Sequence, residues 1–145
     1  MPEYPHQLLS PRNWKPAKGY ANGVVAEGRT VYLGGQVGWN PLQQFETDDF
    51  VGQLDQCLAN ISVLLAEANA GVEHVVRLTW YVTDKREYLS RLSEVGAVYR
   101  KHFGRIFPAM AMVQVSALIE DRAKLEIEAT AVIPHQAATP MQRGS

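Results

Sequence analysis

Glu126 and Glu128 are the residues best placed to do chemistry. They stand two apart in the run Lys124, Leu125, Glu126, Ile127, Glu128, Ala129, where apolar and polar residues alternate. Period two puts both carboxylates side by side on one face of a strand. The earlier alternating run, from Ala109 onward, adds Met110, Met112, Gln114 and Leu118 on what reads as the same side of a sheet. A carboxylate held beside such neighbours can orient a water and take its proton as a general base. The plainer role for Glu126 is an ion pair with Lys124 or with another subunit, and Glu128 suits solvent or an interface pair. His6, His74, His102 and His135 are far apart and no HxxxH or CxxC spacing occurs, so no metal site is expected. Gly34, Gly35 and Gly38 lie inside a strand pattern that no helix directly follows. They therefore make no dinucleotide loop, and no cofactor is expected. They mark instead a bulge, or a place where another backbone or a ligand comes close.

The elements that must position these groups follow from periodicity. Residues 1–18 carry Pro2, Pro5, Pro11 and Pro16 around Trp14 and read as an extended arm with no regular element, docked by Trp14. A first hairpin runs from Tyr20 to Trp39 and turns at Glu27 and Gly28. Thr47 or Asp48 caps a helix to about Asn69, with Phe50, Leu54, Cys57, Leu58, Ile61, Leu64 and Leu65 in one stripe. Cys57 in that stripe is a small core hydrophobe. A strand follows in which Val76, Leu78, Trp80 and Val82 alternate with Arg77, Thr79, Tyr81 and Thr83. Asp84 then caps a second helix, buried through Tyr88, Leu89, Leu92, Val95, Tyr99 and Phe103 and stopped by Gly104 and Pro108. Residues 107–134 form a long antiparallel hairpin whose face of Ala109, Ala111 and Val113 suits packing under helices. The result is one α+β domain over 19–134, with two helices on one face of a mostly antiparallel sheet and a tail from 135 to 145. The uncovered face, with Met112, Leu118 and Val132, predicts oligomerisation.

Composition narrows the function classes. Lysine and arginine total 14 against 15 acidic residues in 145, a net charge of −1, so no global field recruits nucleic acid or an anionic membrane. The amino terminus shows no basic-then-apolar signal, and no apolar run approaches a membrane span. A cytoplasmic location is expected. Trp39, Trp80 and Tyr20, one per element, read as core or interface anchors rather than a base-stacking platform.

Gly35 with Gln36, then Tyr81, Val82, Thr83, Asp84, then Phe107, Pro108, Ala109 with the alternating strand after them, and Lys124 to Ala129 resemble, in that order, the Rid (YjgF) family over residues 19–134. The resemblance implies a chorismate-mutase-like fold and a homotrimer, in which three sheets close into a barrel and small-molecule clefts open between subunits. It implies hydrolysis of reactive enamines and imines to ammonia and a 2-keto acid. Tyr20 matches the family's pocket tyrosine, and Glu126 matches the glutamate that positions the hydrolytic water. The family's carboxylate-gripping arginine falls on Met110, its serine before the Gly, Gln pair on Gly34, and, with one gap, its pocket asparagine on Gly96. Loss of that arginine removes a bidentate carboxylate site, so Arg105 and Arg77 become candidates to replace it, beside Gln114 and Gly34 as substrate contacts. The implied activity is an imine deaminase on a substrate other than the small 2-imino acids, such as a larger unsaturated amino acid. The alternative is a non-catalytic trimer whose clefts bind a metabolite, with ribonuclease activity third.

Overall fold

The structure, a computed structural model, describes residues 3–135. The 18-residue helix α1 (Phe50–Glu67) packs on a four-stranded sheet because Phe50, Leu54, Cys57, Leu58, Ile61 and Leu65 recur on one side of it and are all buried. Asp49 caps it by accepting from the Gly52 amide at 3.0 Å. The sheet has the order β3-β6-β4-β5, formed by β3 (Arg29–Val37), β6 (Leu125–Ile133), β4 (Val75–Val82) and β5 (Ala109–Gln114). Leu78, Trp80, Leu125, Ile127, Ala129 and Ala131 turn toward α1 and toward α3 (Leu92–Phe103), and no element among the described residues covers the opposite sheet face.

Neither expected hairpin forms. β5 runs parallel to β4, because α2 (Lys85–Leu89) and α3 make the crossover between them, and β6 returns antiparallel between β3 and β4. Alternation along a strand fixes its period, not its partner. In the first case β2 (Gly23–Val25) pairs with β1 (Gln7–Leu9), a strand inside the proline-rich arm expected to hold no regular element. The arm is held by Tyr4, whose hydroxyl donates to the Val75 carbonyl at 2.6 Å, and by His6 against the His74 carbonyl at 3.2 Å. Burial pushes the Tyr4 pKa up to about 12. Trp14 is 59% exposed and does not dock it.

The face expected for β5 is reversed. Its register sets Met110 level with Leu78 and Met112 level with Trp80, so both methionines pack against the helix-covered core, whereas Ala111 and Val113 point outward. Both sides of this strand are apolar, which is why patterning alone could not orient it. The expected surface patch changes with it: Met112 is internal, Val132 is buried and Leu118 lies in a loop. Tyr32, 79% exposed, and Val113 are the large apolar residues the uncovered face presents.

The expected second helix is two helices. Arg91, between α2 and α3, has φ −131° and its guanidinium reaches Asp49 at the start of α1 as well as Glu94. Leu89 and Leu92, at the break, are more than half exposed rather than buried. Among the described residues, no helix is long and apolar enough to cross a membrane.

Gln53 is the fully buried polar side chain that fixes the layers. Its amide donates to the Thr47 and Arg122 carbonyls at 3.0 and 2.9 Å and accepts from the Lys124 amide at 2.8 Å, tying α1 to the entry of β6. Gln53→Leu should therefore lower the unfolding free energy by about 2–4 kcal/mol, since it removes the partner of three part-buried backbone groups at once. Urea denaturation checks this; a loss within about 0.5 kcal/mol, the usual size of a surface change, would contradict it.

Candidate active site

A cavity of about 610 Å³ opens where the inner face of β4 and β5 meets α3. Met110 and Met112 come from β5, Trp80 from β4, and Val95 and Tyr99 from the buried side of α3. Tyr20 completes it from a separate segment. The Ala21 amide donates to the Pro108 carbonyl at 3.0 Å, and Ala21 bridges Ala109 in parallel, which fastens the chain to the free edge of β5. Gly19, at φ +78°, makes the preceding turn in a conformation glycine adopts most readily. Tyr20 and Met110 thus line one cavity.

Glu126 lies elsewhere. It points from β6 to the uncovered face, level with Tyr81 on β4, while Met110 is on the other side of the sheet. β3 bulges between Leu33 and Gln36, and a Cβ on Gly35 would run into the Glu126 carboxylate. Glycine there lets the carboxylate lie across the bulge. Beside it Gly34 is open, with nothing near where its side chain would be. Glu126 is half-buried, and among the described residues it has no hydrogen-bond or ion-pair partner. Lys124 turns instead to Glu87, at 3.7 Å. Glu128 accepts from the Tyr81 hydroxyl at 2.6 Å, and that bond raises the Tyr81 pKa. One chain therefore does not bring Glu126 and Tyr20 together.

The arginines separate as well. Arg105 lines a neighbouring cavity of about 280 Å³ between the arm and Tyr20, and Arg77 is exposed on the uncovered face, level with Thr130 and Ala109. Gln114 accepts from the Lys85 amide at 2.9 Å, so it holds the start of α2 rather than lining the cavity of Met110. Sequence reasoning missed Arg100. It lines the large cavity, and its Nη1 lies 3.1 Å from where a Cβ on Gly96 would stand. The signal was present: Gly96 and Arg100 are four apart and share a helix face. Lys18 is the other cation of this cavity, and among the described residues neither it nor Arg100 is in an ion pair. Among the described residues, the buried indole N–H of Trp80 has no acceptor.

Other reactive groups stand apart. Cys57 is fully buried, donates to the Gln36 carbonyl at 3.1 Å, and has its thiol pKa pushed up by burial. Asp55 accepts from His102 at 2.6 Å and from Lys101 at 3.0 Å between α1 and α3; the His102 bond, then Lys101, holds its pKa below the usual value. No group of three or more His, Cys, Asp or Glu among the described residues could hold a metal ion.

Two helices over a mostly antiparallel sheet, with candidate site residues on both sides of it, define a YjgF-like α+β protein. A solved Rid-family protein of unknown function from Yersinia pestis superposes with a TM-score of 0.79 at 29% identity, covering 88% of this chain and 98% of that one. A YjgF-family member from Mycobacterium tuberculosis does so with a TM-score of 0.60 at 37% identity, covering 79% and 87%. The chain belongs to the Rid (YjgF) family: the family model described as Endoribonuclease L-PSP matches residues 11–133. It is 35% identical over 114 residues to the 2-iminobutanoate/2-iminopropanoate deaminase of Capra hircus, covering 78% of this chain and 79% of that one. It is 36% identical over 109 residues to the protein DfrA of Myxococcus xanthus, covering 74% and 79%.

Proposed function

We propose that the chain is an enamine or imine deaminase, working as a homotrimer at clefts between subunits, on a substrate other than the small 2-imino acids. The observation that carries this is Glu126: a half-buried carboxylate without a partner among the described residues, lying across a glycine bulge on an uncovered sheet face. Such a group is costly to leave idle and suited to a water. In the trimer, the Glu126 face of one subunit meets the Tyr20 cavity of the next. Glu126 takes a proton from water as the oxygen attacks the imine carbon, and Tyr20 donates a hydrogen bond to the reacting centre. That proton passes to nitrogen to give a carbinolamine, Glu126 then carries the hydroxyl proton to the same nitrogen as the C–N bond breaks and the C=O bond forms, and ammonia leaves with a 2-keto acid behind. Met110 supplies no charge for a substrate carboxylate, which argues against the smallest imino acids.

The apolar wall of Met110 and Met112 favours a second reading, a trimer that binds a metabolite without turning it over. Ammonia release from imines generated in place, above the spontaneous rate, separates the two. The assembly has its own expected result: sedimentation should give three times the chain mass at micromolar concentration. The exposed Tyr32 and Val113 supply the apolar contact area, and a monomer would end the intersubunit site. A ribonuclease role is least supported, because the net charge is −1.

A further inference from the structure

We infer that Arg100, folded back over Gly96, binds the carboxylate of a ligand that carries an aromatic or bulky apolar body in the 610 Å³ cavity. This rests on the reading of that cavity as the substrate half of a deaminase site, and it names both the group that takes over at Met110 and the substrate class.

Position comes first. An arginine four residues after a glycine on one helix can lay its guanidinium against the bare backbone, and a larger side chain at position 96 would push it away. Here Arg100, its Nη1 beside Gly96, lines the same cavity as Tyr20 and Met110, while Arg105 and Arg77 do not. Charge comes next. Arg100 and Lys18 are without ion-pair partners among the described residues, so this cavity has two cations and no acid to balance them. A guanidinium can grip a carboxylate by two parallel bonds.

The wall then selects the body. Tyr99 stacks on Phe107 with ring centroids 5.4 Å apart, and Trp80 lies against Tyr99 at 6.4 Å. With Met110 and Met112 beside them, the surface is aromatic and polarisable, suited to a ring. A volume of about 610 Å³ falls within the range of pockets that enclose drug-sized ligands, so a three-carbon acid would leave most of it wet.

Calorimetric titration of the full chain tests this with three probes: phenylpyruvate, pyruvate, and phenylacetone, which lacks the carboxylate. Phenylpyruvate should bind at least about tenfold more tightly than either of the others, the scale of one charge-assisted bond or a buried ring. Arg100→Ala should weaken it by about 10- to 100-fold, and Arg100→Lys should restore part of the loss. Gly96→Leu should weaken it comparably by displacing the guanidinium, while Arg105→Ala should not change it. Unchanged binding in Arg100→Ala, equal affinity for pyruvate, or no binding at all because a second copy fills the cavity would each overturn the inference. Arg100-dependent binding in a protein that releases no ammonia would remove the deaminase reading and keep this one. Turnover indifferent to Arg100 would do the reverse.

Discussion

Glu126→Gln should lower the rate of ammonia release by about 10²- to 10⁴-fold, the range expected when a general base is lost. The amide keeps the shape that fits over Gly35 and can still hold a water, but it cannot take the proton. Its effect should fall on kcat with little change in KM, because Glu126 acts on the water, whereas the substrate is held by the cavity that a neighbouring subunit supplies. Stability should not fall, since the carboxylate has no partner to lose among the described residues. A drop in melting temperature with turnover intact would make Glu126 a structural residue.

Met110→Arg should raise activity on 2-iminopropionate by one to several orders of magnitude. Up to two charge-assisted bonds to the substrate carboxylate are gained, each contributing about 1.5–3 kcal/mol. Native protein should correspondingly be a poor catalyst on that imine. The side chain at 110 faces the cavity that holds Tyr20, so the new guanidinium would arrive where binding occurs. Two features limit the gain: Arg100 already places a positive charge in the cavity, and Gly34 offers no hydroxyl. Adding Glu126→Gln should remove the gain. High native activity toward 2-iminopropionate would instead mean that another group already holds the small carboxylate.

Much of the fold was legible because some stretches have one face that only a core accepts. The stripe of α1 and the inward set Leu125, Ile127, Ala129 and Ala131 are examples. Where both faces are apolar, as in β5, alternation cannot choose, and Met110 was placed on the wrong side of the sheet. Strand partners were misread because a turn signal shows that a chain reverses, not that the two segments pair; the βαβ crossover through α3 overruled it. The β1 strand was hidden by prolines that flank it without entering it. Glu126 is legible from strand alternation and, with Tyr20, from family resemblance, but their separation across the sheet is a matter of register. Arg100 was overlooked because its placement depends on the absent side chain of Gly96, which a motif does not display.

The central claim is that one site is built from the cavity of one subunit and the carboxylate of another. Co-assembly of two defective variants tests it most directly. Tyr20→Ala and Glu126→Gln, each assembled alone, should have little activity on an imine generated in place. Unfolded and refolded together at equal amounts, they should recover about a quarter of native activity, because one interface in four then pairs an intact Tyr20 with an intact Glu126. Activity that stays at the level of the separate variants, in mixed trimers shown to have formed, would contradict a site shared between subunits.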